Sequence, residues 1–423
     1  PSTKRASVLS IPRDLFVPNA RSTGFNKVDA ALYQGPNQLV DAVEEDFGIP
    51  IQHYAELNFD SFMGIVNTLN GVKMYFPMPV YDAYSQLNIP VAGCQTLNGF
   101  EALAVVRARH LQYKPPNVTT DDHDLWPYDP ASDLSRILRD HEFLRALAAK
   151  AAKRGLGNPL TDRSLLAAVS PYLQVDSGLS LTKMVQLLLA FHGNNPYRAP
   201  QLTIPVMVNN DQDYYFNGYD YGSVEFASEP QDFQAIDQML GVRPNTDTMT
   251  GATLPDPGSI TVSVENGTGG DNQASETASA LQALGYQISA TSDADSQNQV
   301  AETLVEYKSK ADEPAAERVA RSLSGAVIMA LEPKAGGADV TVVTGSDFSV
   351  NPPPQSTSTS TPSSGSSATT STSTPSSGSS QPESSSSATA SASSSSLAPA
   401  TSSNPSLAPF DPRSCTSSGG EGS

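Results

Sequence analysis

The amino-acid sequence predicts a layered α/β protein with a Ser/Thr/Pro-rich tail. Strand-like and helix-like patterns alternate through residues 1–206, and the same alternation returns in residues 259–350. Such alternation is typical of a sheet covered by helices. Beyond residue 350 the composition buries too little apolar surface to offset chain entropy. We therefore predict an α/β domain (1–206), an extension and linker (207–258), a small α/β domain (259–350) and a disordered tail (351–423).

The first predicted domain opens with a strand over Ser7–Pro12, and we expect the neighbours of that strand to lie upstream of Pro1. A helix is predicted over Val28–Phe47, where apolar residues recur near 3.6-residue spacing before Gly48. Asn98 and Glu101 have the spacing of a capping box, which predicts a short helix ending near Arg107. The other predicted elements are strands over 54–59 and 72–76 and helices over 62–69, 133–154 and 181–191.

The second half of the chain contains a compact α/β pattern after a boundary placed near residues 246–259. Turn residues and glycines separate its short apolar runs, which indicates strands joined to helices. The predicted strands are 260–264, 286–290, 303–307 and 339–343, and the predicted helices are 274–284 and 315–323, with one more helix at 233–240 in the extension.

Charge and cysteine content limit the classes of function. The chain has 423 residues and a formal net charge of −19, which argues against general nucleic-acid binding and against a basic bilayer-binding surface. No apolar run has the form of a signal peptide or a membrane span. Since the first residue is Pro1, we expect the chain to be a piece of a longer protein. Two cysteines, Cys94 and Cys415, cannot form a disulfide framework, and whether they pair stays open.

Arginines are the most informative residues of this acidic chain. Several converging arginines would suit a pyrophosphate, because arginine binds phosphate oxygens through paired hydrogen bonds and stays charged. The alternative is that each one pairs with a surface carboxylate. Neighbouring carboxylates could hold a hard divalent cation, although an aspartate in the first turn of a helix is also favoured by the helix dipole. The arginines are Arg13, Arg107, Arg109, Arg136 and Arg139, and the carboxylates are Asp14, Asp133 and Asp140.

These residues belong to motifs that resemble the LytR-CpsA-Psr family over residues 1–206. Residues 262–348 resemble the C-terminal domain that often follows it. The motifs, in family order, are Ser10–Asp14, Lys27–Ala31, Leu97–Gly99 with Val106–His110, and Asp133–Arg136 with Arg139, Phe143 and Leu144.

The resemblance implies a layered α/β/α phosphotransferase that is anchored in the membrane and acts on its extracytoplasmic face. Such enzymes attach a glycopolymer from a polyprenyl-pyrophosphate carrier to peptidoglycan with the help of Mg2+. By motif match, Arg13, Lys27, Arg107, Arg109 and Arg136 would bind the pyrophosphate, and Arg107, Arg109 and Asp133 would be the catalytic residues. Less firmly matched positions are Asp14, Arg139 and Asp140.

Two departures from the family pattern matter. The membrane helix, the main metal ligands and one or more central strands of the family would precede Pro1, so we expect this chain to be inactive and its first domain to be poorly folded alone. Asp140-His141 stands where the family commonly has Gln-Gln, and an aspartate there would oppose a phosphate unless a metal or Arg136 neutralises it.

Three hypotheses about function remain open at this stage. The first is glycopolymer transfer, with arabinogalactan of an actinobacterium as the candidate polymer, suggested by Ala-rich helices and the Ser/Thr-rich tail. The second is a non-catalytic protein that binds a cell-wall polymer, and the third is hydrolysis of the lipid pyrophosphate. Trp126 could contact a sugar, but the more common role for a loop tryptophan is to anchor the loop.

Overall fold

A computed structural model describes residues 5–18, 27–130, 132–153, 167, 169–191, 194–208, 214–216, 219–294, 301–352 and 409–417. The described α-helices are α1 (Val28–Ala31), α2 (Pro36–Phe47), α3 (Phe59–Thr68), α4 (Gly99–Arg107), α5 (Ser132–Lys153), α6 (Leu181–Phe191), α7 (Gln231–Leu240), α8 (Gln273–Ala283), α9 (Glu313–Ala320) and α10 (Ser414–Ser417). The described strands are β1 (Val8–Ser10), β2 (Ala55–Glu56), β3 (Val72–Phe76), β4 (Val80–Asp82), β5 (Leu87–Ile89), β6 (Gly93–Leu97), β7 (Gln112–Tyr113), β8 (Gln174–Val175), β9 (Gln201–Thr203), β10 (Val206–Val208), β11 (Tyr215–Phe216), β12 (Tyr219–Asp220), β13 (Glu225–Glu229), β14 (Thr261–Asn266), β15 (Gln287–Asp293), β16 (Thr303–Tyr307), β17 (Leu323–Leu331), β18 (Val340–Thr344) and β19 (Phe348–Val350).

The largest sheet joins strands from both halves of the chain. Its order is β10-β13-β17-β16-β18-β14-β15, with β19 also paired to β17, which makes eight strands. Strand β13 of the extension pairs antiparallel with β17, so that Ser228 faces Ala326 in the register. The α/β class is confirmed. The boundary was predicted near residue 258. In the structure, strands β10 and β13 before this point and strands β14–β19 after it belong to one sheet.

One hydrophobic core lies against this sheet and also draws on both segments. Leu15, Val28 and Phe47 belong to the same buried cluster as Val305 and Met329. Across the same contact, the Tyr307 hydroxyl donates a hydrogen bond to the carbonyl of Glu45 at 2.8 Å. Burial of apolar area stabilises by about 25 cal/mol per Å², so this shared core holds the two segments together.

A second core packs helix α5 against a set of short antiparallel strands in the first segment. Strand β3 pairs with β6, and the buried faces of β3 and α5 meet at Met74, Phe76 and Phe143. Helix α5 and helix α6 match the predicted helices closely in their bounds. Among the helices of the described ranges, none combines the length and the apolar character needed to cross a membrane.

Several predictions about individual elements are wrong. The strand near the start of the chain was expected to have all its neighbours upstream of Pro1, yet one neighbour of β1 is β9, which lies far downstream and pairs with it in parallel. The single helix predicted over Val28–Phe47 is two helices, because Gly35 adopts a φ of +114° and Pro36 begins a new helix. The helix predicted to end at Leu323 ends at Ala320, and Leu323 begins the nine-residue strand β17, which the prediction missed.

Residues 409–417 of the tail are ordered, contrary to the prediction of disorder for this part of the chain. Cys415 forms a disulfide with Cys94 of strand β6, which answers the question that the sequence left open. Phe410 is 5% exposed, with its ring centroid 5.6 Å from that of Phe76. The Ser/Thr/Pro composition ends just before Phe410. The buried ring of Phe410 supplies apolar surface and Cys415 supplies a covalent link, and the Ser/Thr/Pro stretch has neither. The predicted disorder of residues 353–408 and 418–423 lies outside the described residues.

Candidate active site

The candidate site is a group of basic side chains around the carboxylate of Asp14. Lys27 Nζ lies 3.2 Å from Asp14 Oδ1, and Arg13 Nε lies 3.3 Å from Asp14 Oδ2. Arg109 Nη2 approaches the same Oδ2 at 3.7 Å, although it is far away in the sequence. The structure therefore brings together three of the predicted pyrophosphate ligands, and we call Arg13, Lys27 and Arg109 the cation cluster.

Two chain segments near the start of the protein build one side of the cation cluster. Arg13 and Asp14 follow strand β1 in a turn, and Lys27 occupies the position before helix α1. A β-bridge between Phe16 and Lys27 holds these segments side by side. Lys27 Nζ also donates a hydrogen bond of 2.6 Å to the carbonyl of Ser223, which fixes the ammonium group against the extension.

Helix α4 brings Arg109 to the cluster from another direction. The predicted capping box is confirmed: the Asn98 side chain accepts from the Glu101 N–H at 3.0 Å, and the Glu101 carboxylate accepts from the Asn98 N–H at 2.9 Å. Gly99 permits close packing on helix α3, since a Cβ there would lie 2.6 Å from the Met63 carbonyl oxygen. The helix ends at Arg107, after which extended backbone leads to Arg109.

Arg107 occupies the same loop but faces an apolar edge. Its guanidinium carbon lies 4.6 Å from the centroid of the Phe59 ring, a cation–π contact. Phe59 is 55% exposed, so an apolar ring and a positive charge are both accessible where α3 begins and α4 ends.

Arg139 was predicted near the phosphate site, but the structure places it in the interior with 1% of its surface exposed. Its Nη2 donates a hydrogen bond to the carbonyl of Ala108, which lies between the two arginines of the α4 loop. Its Nη1 lies 3.6 Å from Asp129 Oδ2. Burial lowers the pKa of Arg139, while nearby anionic groups, among them Asp129, act against that shift. Arg139 therefore supports the loop that presents Arg109.

The remaining predicted residues lie on helix α5. Arg136 and Asp140 are both half-buried, one helical turn apart. The negative charge of Asp140 acts on the guanidinium of Arg139. Arg139 is therefore a cation that can offset the charge of Asp140, in addition to the metal or Arg136 considered from the sequence. Asp133 lies near the beginning of α5, and its side chain is outside the described residues.

The electrostatics keep Asp14 ionised. Burial alone would raise its pKa, but the charges of Lys27, Arg13 and Arg109 hold that pKa below the ordinary value. Asp29 is affected in the opposite direction: burial raises its pKa, and the negative charge of Asp14 raises it further. Two carboxylates thus lie within electrostatic reach of each other beside the cation cluster.

Sequence reasoning missed several groups that shape this site. The carbonyl of Ser223 and the ring of Phe59 contact the predicted basic residues, yet neither carries a motif that distinguishes it. Asp29 lies within the family motif Lys27–Ala31 and could have been singled out from it. Trp126 is confirmed as a loop anchor, being 4% exposed with its indole N–H donating to the Thr120 carbonyl at 3.2 Å.

A buried histidine next to the site predicts a pH effect on stability. His141 Nε2 lies 2.7 Å from the Ser10 hydroxyl, and burial together with the charge of Arg145 lowers the pKa of His141. Below pH 6.5, the unfolded chain takes up a proton that the folded protein does not, so the free energy of unfolding falls. Urea unfolding at pH 7.5 and pH 5.5 should show a smaller decrease for His141→Gln than for the wild type. Equal decreases in the free energy of unfolding for the two proteins would mean that His141 does not contribute to the pH dependence of stability.

Comparison with known proteins places these motifs in a family context. The LytR_cpsA_psr family model matches residues 1–231. A second model, described as LytR cell envelope-related transcriptional attenuator, matches residues 259–348.

Individual relatives are similar over parts of the chain. The probable cell wall biosynthesis protein LcpB of Corynebacterium glutamicum is 31% identical over 231 residues, which are 54% of this chain and 48% of LcpB. The polyisoprenyl-teichoic acid–peptidoglycan teichoic acid transferase TagT of Bacillus subtilis is 39% identical over 113 residues, which are 25% of this chain and 34% of TagT. The solved LytR-Csp2A-Psr enzyme from Actinomyces oris is 25% identical, with a TM-score of 0.42 over 49% of this chain and 74% of that one. The aligned region thus spans about half the length of LcpB.

Proposed function

Because the chain belongs to the LytR_cpsA_psr family, whose model matches more than half of it, we propose that it transfers a glycopolymer from a polyprenyl-pyrophosphate carrier to peptidoglycan. The observation that carries this proposal is the cation cluster, in which Lys27, Arg13 and Arg109 converge on Asp14. These three basic residues come from distant parts of the sequence, and their positive charges outnumber the single negative charge of Asp14. Such a place suits a pyrophosphate, whose oxygens accept bidentate hydrogen bonds from arginine.

The reaction requires positioning and charge neutralisation more than covalent chemistry by the protein. A hydroxyl of the peptidoglycan acceptor would attack the phosphorus nearer to the sugar. The bond from that phosphorus to the bridging oxygen would break, polyprenyl phosphate would leave with the electron pair of that bond, and the proton of the hydroxyl would pass to solvent water. Arg109 and Lys27 would bind the phosphate oxygens on which negative charge increases, and Asp133 is proposed as a catalytic residue on the motif match alone.

Arg107 would serve both halves of the donor. Its charge would attract the pyrophosphate, while its contact with the exposed Phe59 ring places it at an apolar surface suited to a polyprenyl chain. Arg136, one turn into α5, would complete the phosphate contacts from the helix side. These roles follow the motif match and stay proposals for each residue.

Mg2+ is proposed as the cofactor, and the residues present fit it. The ion usually binds to one or two carboxylates together with substrate phosphates and waters. Asp14 lies within the cation cluster, and its negative charge reaches Asp29 strongly enough to raise the pKa of that carboxyl. These two carboxylates would hold the ion, which when bound would neutralise charge on the phosphates.

The extracytoplasmic face of the cell membrane is the proposed location. The Cys94–Cys415 disulfide supports it, because disulfides persist mainly in oxidising compartments. LcpB is named as a probable cell wall biosynthesis protein, and TagT as a transferase of teichoic acid to peptidoglycan. For this protein we propose arabinogalactan or a related polymer as the transferred glycan.

Product analysis with the full-length protein tests the proposal. A polyprenyl-pyrophosphate donor labelled in its glycan is incubated with peptidoglycan and Mg2+, and the label is then located. Transfer predicts label on peptidoglycan together with released polyprenyl phosphate, both lost in Arg107→Ala/Arg109→Ala. Label recovered only as free glycan would identify a hydrolase. Unchanged donor in the presence of the wild type would leave the non-catalytic binding protein as the better account.

A further inference from the structure

A cluster of buried carboxylates lies away from the arginine motifs, where the extension meets helix α9. Oxygens of Asp247, Glu313 and Glu317 all lie within 4.8 Å of one another. The three residues are 2%, 5% and 0% exposed, respectively. Glu313 and Glu317 are four residues apart on α9 and so share one face of the helix, while Asp247 arrives from the loop after α7. Three acidic groups rarely share one buried place without a counter-charge.

Two of the three carboxylates have hydrogen-bond donors. Asp247 Oδ1 accepts from the backbone N–H groups of Met249 and Thr250 at 2.9 and 3.2 Å. Glu317 Oε2 accepts from the backbone N–H of Thr248 at 3.1 Å, and Glu317 Oε1 accepts from Arg321 Nε at 2.8 Å. Arg321 also binds Asp237 through both of its terminal nitrogens, so this one guanidinium serves two carboxylates.

Glu313 is different, because Oε1 of this buried side chain has no hydrogen-bond partner among the described residues. The oxygen lies beside Gly48, where an added Cβ would be 3.0 Å from it and 2.7 Å from the Thr248 hydroxyl oxygen. That hydroxyl in turn lies 3.3 Å from Glu317 Oε2. One carboxylate oxygen of Glu313 lies within 4.8 Å of oxygens of Asp247 and Glu317, so this buried side chain reaches into the cluster. Burial and the charges of Glu317 and Asp247 raise the pKa of Glu313 to about 8.

A cation would satisfy this oxygen and the excess negative charge together. The donor set consists of oxygens only, which hard divalent cations prefer. Calcium accepts six to eight oxygen ligands in flexible geometry, whereas Mg2+ keeps several waters and is rarely held by protein ligands alone, so three protein carboxylates suit calcium better. We propose that Asp247, Glu313 and Glu317 form a site for a divalent cation, with Ca2+ suiting this set of three protein carboxylates best.

The position of this site suggests its effect. Asp247 belongs to the loop that follows the segment matched by the first family model, and α9 belongs to the segment matched by the second. A cation held by both would tie this connecting loop to helix α9. The site shares no residue with the cation cluster, so its occupancy would stabilise the chain independently of the reaction.

Thermal unfolding of the full chain tests this site with Ca2+ and Mg2+ as probes, each compared with EDTA. At a Ca2+ concentration about a hundred times the dissociation constant, we expect the Tm to rise by roughly 5 °C. Glu313→Gln should abolish most of that rise, while its Tm in EDTA stays at or above that of the wild type because an unpaired buried carboxylate is removed. Glu302→Gln, at another buried carboxyl, is the matched control and should keep the full rise.

The variant Asp14→Asn removes a carboxylate of the proposed Mg2+ site. It should keep the Ca2+-dependent rise in Tm, which would show that this rise does not come from the Mg2+ site. Equilibrium dialysis with 45Ca2+ then counts bound ions, and Glu313→Gln should bind one fewer than the wild type. A wild type without a Ca2+-dependent rise, or a Glu313→Gln variant with an undiminished one, would overturn the proposal and leave Glu313 as a protonated buried acid.

Discussion

Replacing Arg139 with alanine is expected to lower the free energy of unfolding by about 3–5 kcal/mol, the usual cost of removing one partner from a buried ion pair. Arg139 is 1% exposed, and its guanidinium satisfies the Ala108 carbonyl and faces Asp129. The substitution leaves a carboxylate that is only 6% exposed without this counter-charge. Urea unfolding monitored by circular dichroism measures the loss.

The matched control is the double variant Arg139→Met/Asp129→Asn, which removes both charges and fills most of the space. It should recover a large part of the stability lost in Arg139→Ala, since replacing a whole buried pair costs less than breaking it. If Arg139→Ala costs less than about 1 kcal/mol, in the range of exposed pairs, then the guanidinium is not buried as the structure has it.

Replacing Arg109 with alanine is expected to lower kcat/KM for polymer transfer by about 10²–10³, as when one preorganised donor to a developing oxyanion is removed. Arg109 is accessible, with 35% of its side chain exposed, and is the member of the cation cluster that follows α4. The kcat/KM of Arg109→Lys should lie between those of the wild type and Arg109→Ala, because lysine keeps the charge but loses the bidentate geometry.

Exposed Arg243 provides the control for this experiment. Arg243→Ala should change kcat/KM by less than about twofold, and both variants should keep the stability of the wild type within about 0.5 kcal/mol. If kcat/KM of Arg109→Ala decreases by less than about threefold while the fold is intact, then Arg109 does not take part in the reaction.

Local features of this fold could be predicted from the sequence because local chemistry determines them. The Asn98–Glu101 capping box needs only two side chains three residues apart, and helices α5 and α6 follow from apolar spacing. Strand β17 was missed because a continuous apolar run after a helix has no period that separates strand from helix.

Long-range features could not be predicted in the same way. The pairing of β1 with β9 and of β13 with β17 depends on register between segments about a hundred or more residues apart, which no local pattern encodes. The return of Phe410 and Cys415 to the first segment follows a long stretch of low complexity. The arginine motifs were visible, but their division between the accessible Arg109 and the buried Arg139 emerges only from packing.

The central claim is that the cation cluster around Asp14 binds pyrophosphate. Calorimetric titration of the full-length protein with a short-chain prenyl pyrophosphate in the presence of Mg2+ tests it most directly. The wild type and Arg243→Gln should bind equally, whereas Lys27→Gln and Arg109→Gln should each bind about tenfold or more weakly, the usual effect of losing a charged hydrogen bond. Equal affinity in all four proteins, or no binding to the wild type, would contradict the claim.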